Sequence, residues 1–301
     1  MSEIRHHCSV SVVITTRNRC GELRSTISSA IGQSVQPEVM VIDDGSTDGT
    51  SEMVIEHFPA VQLIRHEESQ GYIVRRNEAA KSVSADFIFS IDDDAEFSSP
   101  HVVAQTLREF DDDRIGAVAI PFINVHHSPR LLQHSPDKDQ VWIADSFIGT
   151  AHALRRDVFL KIGGFWEPLI HQGEESDFCI RMLDRGHVVR LGCADPVFHH
   201  LSANRDLGRV SFYGNRNNVL FAWRNVPWPY FGAHFTATFV NTLVHTLRSP
   251  VPCLGLKGLG ASLACCVRMR KDRSPVRSAT YRRFRTLRKN GPRRLAELGT
   301  M

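Results

Sequence analysis

Three consecutive aspartates, Asp92, Asp93 and Asp94, directly follow the apolar run Phe87-Ile88-Phe89-Ser90-Ile91 in this chain of 301 residues. Such a run reads as a buried strand, and a strand end delivers the next side chains to the carboxyl edge of a sheet, where open α/β sheets hold ligands. Alternate carboxylates at that edge converge on a hard dication, Mn or Mg, which would neutralise a diphosphate. Three acidic residues alone describe a solvated turn equally well. The neighbouring segments favour the first reading.

Six further segments accompany the triplet: Val10 to Arg19 (VSVVITTRNR), Val39 to Gly49 with its turn Asp43-Asp44-Gly45-Ser46, Gly71 with Arg76-Asn77, Gly163-Gly164-Phe165, Gly173 to Phe178 (GEESDF), and Phe198-His199-His200. Taken in this order the set resembles the family 2 inverting glycosyltransferases of the GT-A fold, over about residues 9–225. The resemblance implies metal-dependent transfer of a sugar from a nucleoside-diphosphate sugar to a hydroxyl acceptor. That acceptor would be a glycan, a lipid-linked precursor or a small molecule, in polysaccharide, glycolipid or natural-product synthesis.

The resemblance also implies roles. Thr16 and Arg17 lie beside the nucleoside, Asp44 accepts a hydrogen bond from its base, and Arg76 meets a phosphate as a fork of donors. In the triplet, Asp92 and Asp94 fall in the family's Asp-x-Asp register. Asp94 ligates the metal, Asp92 binds it through water or orients the loop, and Asp93 turns to the ribose. His199 completes the metal site, with His200 as the neighbouring register. The metal acts as a Lewis acid on the departing diphosphate. The family's Gly-Glu-Asp-x-Asp appears here as Gly173-Glu174-Glu175-Ser176-Asp177, so Glu175 stands where the catalytic aspartate is expected, its carboxylate one methylene farther out. Glu174 and Asp177 are the alternatives, and Asp177 also suits orienting the helix that starts there. Asp145 and Trp166 are candidate acceptor contacts, Trp166 being a stacking face or a core residue. Arg205, Arg209 and Arg216, in the polar stretch 202–218, would close over the diphosphate or face solvent.

The elements that must position these residues alternate. Apolar, β-rich runs near 10–15, 38–43, 61–65, 86–91 and 115–120 are separated by helical stretches near 21–32, 48–57, 72–82 and 100–110, which is the pattern of a parallel sheet with crossover helices. We expect an α/β, Rossmann-like, mostly parallel sheet flanked by helices. Residues 1–225 would form the catalytic domain, with a nucleotide-binding half at 9–123 and an acceptor half at 144–225. The stretch 124–141 reads as a long loop. Residues 226–301 read as a helical, basic C-terminal extension.

Charge sets that extension apart. Residues 268–301 hold twelve Lys or Arg and two acidic residues, a net of +10, against −7 for residues 1–267. The apolar stretches 231–247 and 251–267 are too interrupted to span a bilayer. Together with the basic tail they suit a peripheral membrane anchor, a helical subdomain or a dimer contact. No RNA-binding signature accompanies the basic residues, so nucleic acid is not an expected partner. Residues 1–10 lack an apolar signal region, and the seven cysteines lack CxxC or zinc-finger spacing. Both point to a cytoplasmic protein with reduced thiols, and the C-terminal extension, as an anchor, would hold it at the inner face of the cytoplasmic membrane. Two readings compete with sugar transfer: nucleotidyl transfer, which lacks its glycine-rich loop after the first strand, and a binding protein that keeps the fold without the chemistry.

Overall fold

The computed structural model describes residues 8–201 and 206–300. The first half runs β1 (Val10–Thr16), α1 (Cys20–Ile31), β2 (Glu38–Asp44), α2 (Thr50–His57), β3 (Gln62–His66), α3 (Tyr72–Ser82), β4 (Phe87–Asp92), β5 (Ala95–Phe97), α4 (Val102–Arg108), β6 (Ile115–Ala119), β7 (Phe122–Asn124) and β8 (Leu131–Leu132). The second runs β9 (Trp142–Ala144), β10 (Ala151–Arg155), α5 (Arg156–Ile162), α6 (Glu174–Asp184), β11 (Val188–Leu191), β12 (Val197–His199), α7 (Leu207–Asn225), α8 (Phe231–Leu247), α9 (Pro252–Arg268), α10 (Ser278–Asn290) and β13 (Arg293–Arg294). The strands and helices expected in the first half all form, with boundaries within about two residues.

Nine strands build the main sheet in the order β13-β9-β11-β6-β10-β4-β1-β2-β3. Both faces are covered. Val12, Ile14, Val41 and Phe89 point to the side of Leu23, Ile27, Met53 and Val102, while Val13, Met40, Ile42 and Ile88 point to the side of Ile73, Phe159, Phe178 and Leu220. That two-sided burial is why these strands read as continuous apolar runs.

The sheet is less parallel than expected. Pairs β1–β2, β1–β4, β2–β3 and β6–β11 are parallel, but β10 runs antiparallel between β4 and β6, and β9 is antiparallel to both β11 and β13. The reversal has a consequence for the carboxyl edge. There β1, β2 and β4 end, whereas β10 begins, so Gly149 and Thr150 arrive beside the triplet, and Asp92 N–H donates to Thr150 O at 3.0 Å.

A second sheet, β5-β12-β7-β8, covers one end of this edge. In it His199 lies opposite Ala95 on one side and Asn124 on the other. The 124–141 stretch is stitched down by Gln133, whose amide donates to Ile120 O (2.7 Å) and Ala151 O (2.6 Å) and accepts from Ile148 N–H (2.8 Å).

The Gly-Gly-Phe segment is a turn that locks α3 to α5. Asn77 donates to Phe165 O (2.8 Å) and accepts from Phe165 N–H (2.8 Å). Gly164 adopts φ +68°, and a Cβ there would sit 2.6 Å from Asn77 Oδ1, so both backbone and space require glycine.

The segment after residue 225 packs back onto the first 225. Val226, Val276, Tyr281 and Phe284 share a core with Ile180 and Ala222, and β13 extends the main sheet by pairing Arg293 and Arg294 with Ile143 and Trp142. No helix among the described residues is long and apolar enough to cross a membrane.

Candidate active site

The carboxyl edge opens into a cleft of about 600 Å³, lined by the ends of β1, β2 and β4, the start of β10, the starts of α3 and α6, and α7. Thr16, Arg17, Asp44, Arg76, Asp92, Asp93, Asp94, Glu174, Glu175 and His199 all line it. Thr16 and His199, 183 positions apart in sequence, are thereby brought to one place by the sheet order, as open α/β sheets do elsewhere.

Each outer carboxylate of the triplet divides its oxygens between an arginine and His199. Asp92 accepts from Arg76 Nη2 through Oδ1 (2.7 Å) and turns Oδ2 toward His199 Nε2 (4.0 Å). Asp94 accepts from Arg19 Nη1 through Oδ2 (2.8 Å) and turns Oδ1 toward the same nitrogen (3.2 Å). His199 Nδ1 lies 2.7 Å from Asn124 Oδ1, an acceptor, so Nδ1 carries a ring proton and Nε2 is the atom turned toward the two carboxylates. Three acceptor groups, Asp92, Asp94 and His199, thus converge within 4.8 Å of one another. That donor set fits a divalent cation. His200 instead pairs with Glu96 at 3.2 Å.

The triplet's electrostatics differ by residue. Burial works to raise Asp94, but its contacts with His199 and Arg19 hold it below the usual carboxylate range. Burial pushes Asp93 up to about 7, against Arg19 and with Asp94's charge adding to the rise.

A second carboxylate pair lies across Arg76. Gly173 caps α6 in the left-handed region (φ +86°) and starts the helix at Glu174 and Glu175. Glu174 is fully buried, with Arg76 Nη1 at 3.8 Å. Burial, then the neighbouring Glu175 charge, pushes its carboxyl up to about 8. Glu175 accepts from Gly149 N–H at 3.1 Å, and burial raises it too. A Cβ on Gly149 would lie 2.7 Å from Glu175 Oε1 and 3.0 Å from Arg76 Nη1, so glycine permits this approach.

Four candidates have partners of their own within the fold. Asp177 is 1% exposed and does not line the cleft; it accepts from Arg181 (2.7 Å), Arg224 (2.6 Å) and Asn225 (2.8 Å), tying α6 to α7. Trp166 is also outside the cleft lining, its ring covered by the Arg224 guanidinium at 4.6 Å. Asp145 lies outside it as well, half-buried and 3.9 Å from Arg288. Asp44 lines the cleft, but its carboxylate already accepts from Ser69, Gln70, Gly71 and Arg75 at 2.6–2.9 Å. Of the arginines in the 202–218 stretch, Arg209 lines the cleft, Arg216 is drawn away by Pro168 O and Leu169 O, and Arg205 lies outside the described residues.

The model of the family described as "Glycosyl transferase family 2" matches residues 11–166, more than half of the chain. The chain belongs to glycosyl transferase family 2. The family match spans the strand ends and triplet just described and makes this an enzyme of sugar transfer. Among characterised relatives, the pre-mycofactocin glycosyltransferase of Mycobacterium tuberculosis is 27% identical over 230 residues, which cover 69% of this chain and 46% of that one. The chain therefore matches about half the length of that relative. The GT-A fold is shared with the mannosyltransferase PcManGT from Pyrobaculum calidifontis, solved with GDP-Man and Mn2+ (18% identity, TM-score 0.60, 88% of this chain and 76% of that one). It is shared also with S. aureus TarS 1-349, solved with UDP-GlcNAc (14% identity, TM-score 0.62, 94% and 92%).

Three residues of this glycosyltransferase site escaped the motif reading. Arg19 stands in the same VITTRNR segment as Arg17, three positions beyond the end of β1, and distance from the strand end is the signal that points to it. Tyr72 and Gly149 line the cleft from the start of α3 and of β10. Gly149 had no motif, because its place depends on an antiparallel pairing.

Glu174 supplies a test of the buried pair. Folded, it keeps its proton up to about 8, whereas an unfolded glutamate releases it near about 4.3. Between these values unfolding releases a proton, so this group makes the protein less stable as pH rises through the window. Glu174→Gln removes that loss. Its melting temperature should match wild type at pH 4 and exceed it by roughly 2 °C or more at pH 8.5. A difference independent of pH would show that the carboxyl is not held protonated.

Proposed function

We propose that this glycosyltransferase moves a sugar from a nucleoside-diphosphate sugar to a hydroxyl acceptor with inversion at the anomeric carbon, using a dication held by Asp92, Asp94 and His199. The observation that carries this reading is the placement, in one cleft and on either side of Arg76, of three convergent metal-ligand groups and a glutamate pair. The fold neighbours solved with GDP-Man and Mn2+ or with UDP-GlcNAc support it.

When bound, the dication would act as a Lewis acid that stabilises the negative charge of the leaving diphosphate. The chain's own residues do the rest. Arg17 and Arg209, both at the cleft, offer further positive charge to phosphate oxygens. Thr16 and Asp93 lie at the strand ends where the nucleoside would rest; Asp44 shapes that pocket by accepting from the Gln70 and Gly71 backbone N–H groups and the Ser69 hydroxyl. Glu175 takes the proton from the acceptor hydroxyl. The acceptor oxygen then bonds to the anomeric carbon as the carbon–diphosphate bond breaks, and a single displacement inverts that centre. A base raised toward neutrality suits this step, and Glu175 is raised by burial while Gly149 N–H fixes its orientation. Glu174, held protonated, keeps a second negative charge from forming beside it.

The C-terminal helices are the part of the protein we assign to the membrane. Residues 207–296 contain seventeen Lys or Arg and a single acidic residue, Asp272. Exposed Val240, Val244 and Leu247 form one stripe on α8, and exposed Leu256, Leu263 and Val267 one stripe on α9. Trp228, 67% exposed, stands just before α8. An apolar face edged by cations and a tryptophan fits the interface of an anionic bilayer, and its like charge opposes pairing with a second copy of itself. A lipid-linked or glycan acceptor would suit an enzyme held there.

Two measurements test these assignments. A donor screen that follows nucleoside diphosphate release should find turnover that requires added dication, and Glu175→Gln should lower kcat about a hundredfold or more with donor affinity little changed; a near-wild-type Glu175→Gln removes it as the base, and a product of retained configuration removes the single displacement. In vesicle sedimentation the protein should partition to phosphatidylglycerol vesicles, weakly to phosphatidylcholine, with release by salt. Equal partition to both, or to neither, rejects the bilayer assignment.

A further inference from the structure

The two arginines that back the metal-ligand carboxylates are not equivalent. Arg76 is buried, with a 6% exposed side chain, and besides Asp92 it donates to Gly149 O at 3.2 Å. Arg19 lines the open cleft with a 30% exposed side chain and, among the described residues, pairs with the triplet at Asp94 Oδ2 (2.8 Å) and Asp93 Oδ1 (3.6 Å). Its backbone, by contrast, is tethered on both sides. Asn18 N–H donates to Ser46 Oγ (2.8 Å), Asn18 Oδ1 accepts from Thr47 N–H (2.8 Å), and Cys20 N–H donates to Asp48 Oδ2 (3.1 Å). The loop after β2 therefore fixes where Arg19 starts, while its guanidinium is free to exchange one anionic partner for another within the cleft.

We infer that Arg19 is a resident counter-cation that restrains binding of a bare dication at Asp92, Asp94 and His199 and transfers to the phosphate oxygens when the dication arrives with a diphosphate. The inference rests on the metal assignment made above. A guanidinium on one oxygen of Asp94 repels a second cation approaching the other, and at these separations in a partly buried site the repulsion is strong. A diphosphate reverses the sign. It brings anionic oxygens into the cleft that Arg19 can engage as a fork, leaving Asp94 to the incoming cation. The residue thus couples the two ligands: the site favours the cation–diphosphate complex over either a free cation or a free anion. By linkage, the same factor appears in the affinity of each for the other's complex.

The test uses the full chain and two probes that need no knowledge of the donor. Free Mn2+ is titrated and followed by electron paramagnetic resonance, and labelled pyrophosphate is bound in excess Mn2+ and followed by equilibrium dialysis. Arg19→Gln should bind Mn2+ about tenfold tighter than wild type, because the repelling cation is gone, and should bind the Mn2+–pyrophosphate complex more weakly. Arg19→Lys keeps the charge without the fork, so its Mn2+ affinity should stay near wild type while pyrophosphate retention falls. A merely structural role would weaken both ligands together, and that pattern, or no change in either, overturns the inference. Asp94→Asn serves as the reference for the site: Mn2+ binding by wild type that survives in Asp94→Asn, or no Mn2+ binding by either wild type or Arg19→Gln, overturns the metal assignment itself and this inference with it.

Discussion

The arrangement depends on one buried guanidinium. Arg76 holds Asp92 at 2.7 Å, donates to the Gly149 carbonyl at 3.2 Å and stands 3.8 Å from Glu174. A buried charge of this kind is tolerated only when opposite charge and acceptors surround it. Here the requirement organises the cleft, because the groups that satisfy Arg76 come from the end of β4, the start of β10 and the start of α6. The same cation limits how much negative charge the site carries. Its charge lowers both glutamates, although burial leaves each raised overall, and Glu174 remains protonated to about 8.

A second level of support surrounds that centre. The Asp177 knot with Arg181 and Arg224 anchors the helix whose first turn bears the glutamates. Asn77, next to Arg76 in sequence, clasps the Gly164–Phe165 turn and so fixes α3, from which Arg76 projects. Asn124 holds His199 by Nδ1. Asp177 and Asn77 are buried and paired, and the half-buried Asn124 is paired with His199, which is the condition under which such groups orient a neighbour instead of facing water. Arg19 lacks this confinement, and its exposure is what distinguishes a group able to change partners from one that cannot.

Much of this was legible in the sequence where a local pattern carries the information. Runs such as Val10–Thr16 and Phe87–Asp92 are buried on both faces, so their strand character and their ends, with the triplet at one of them, could be read directly. Information that depends on distant pairing was not legible. The antiparallel insertion of β10 between β4 and β6 brings Gly149 to Asp92 from more than fifty residues away, and nothing in Ala151–Arg155 encodes its direction. Asp177 is a similar case. Its i,i+4 partner Arg181 is visible in the helix, but Arg224, forty-seven residues on, completes the knot and also covers Trp166, removing both from the cleft. The β13 strand, two residues long and basic, gave no signal of its place at the sheet edge.

The claim that one cation governs both sides of the cleft is tested most directly by the pH dependence of kcat/KM in an Arg76→Gln variant whose fold is first confirmed by circular dichroism. The acid limb reports the group that must lose a proton in the free enzyme. With the guanidinium gone, its lowering effect on Glu175 goes too, so the account predicts a residual activity whose acid limb lies at higher pH than in wild type. An acid limb at the wild-type position in a folded, active variant would contradict it.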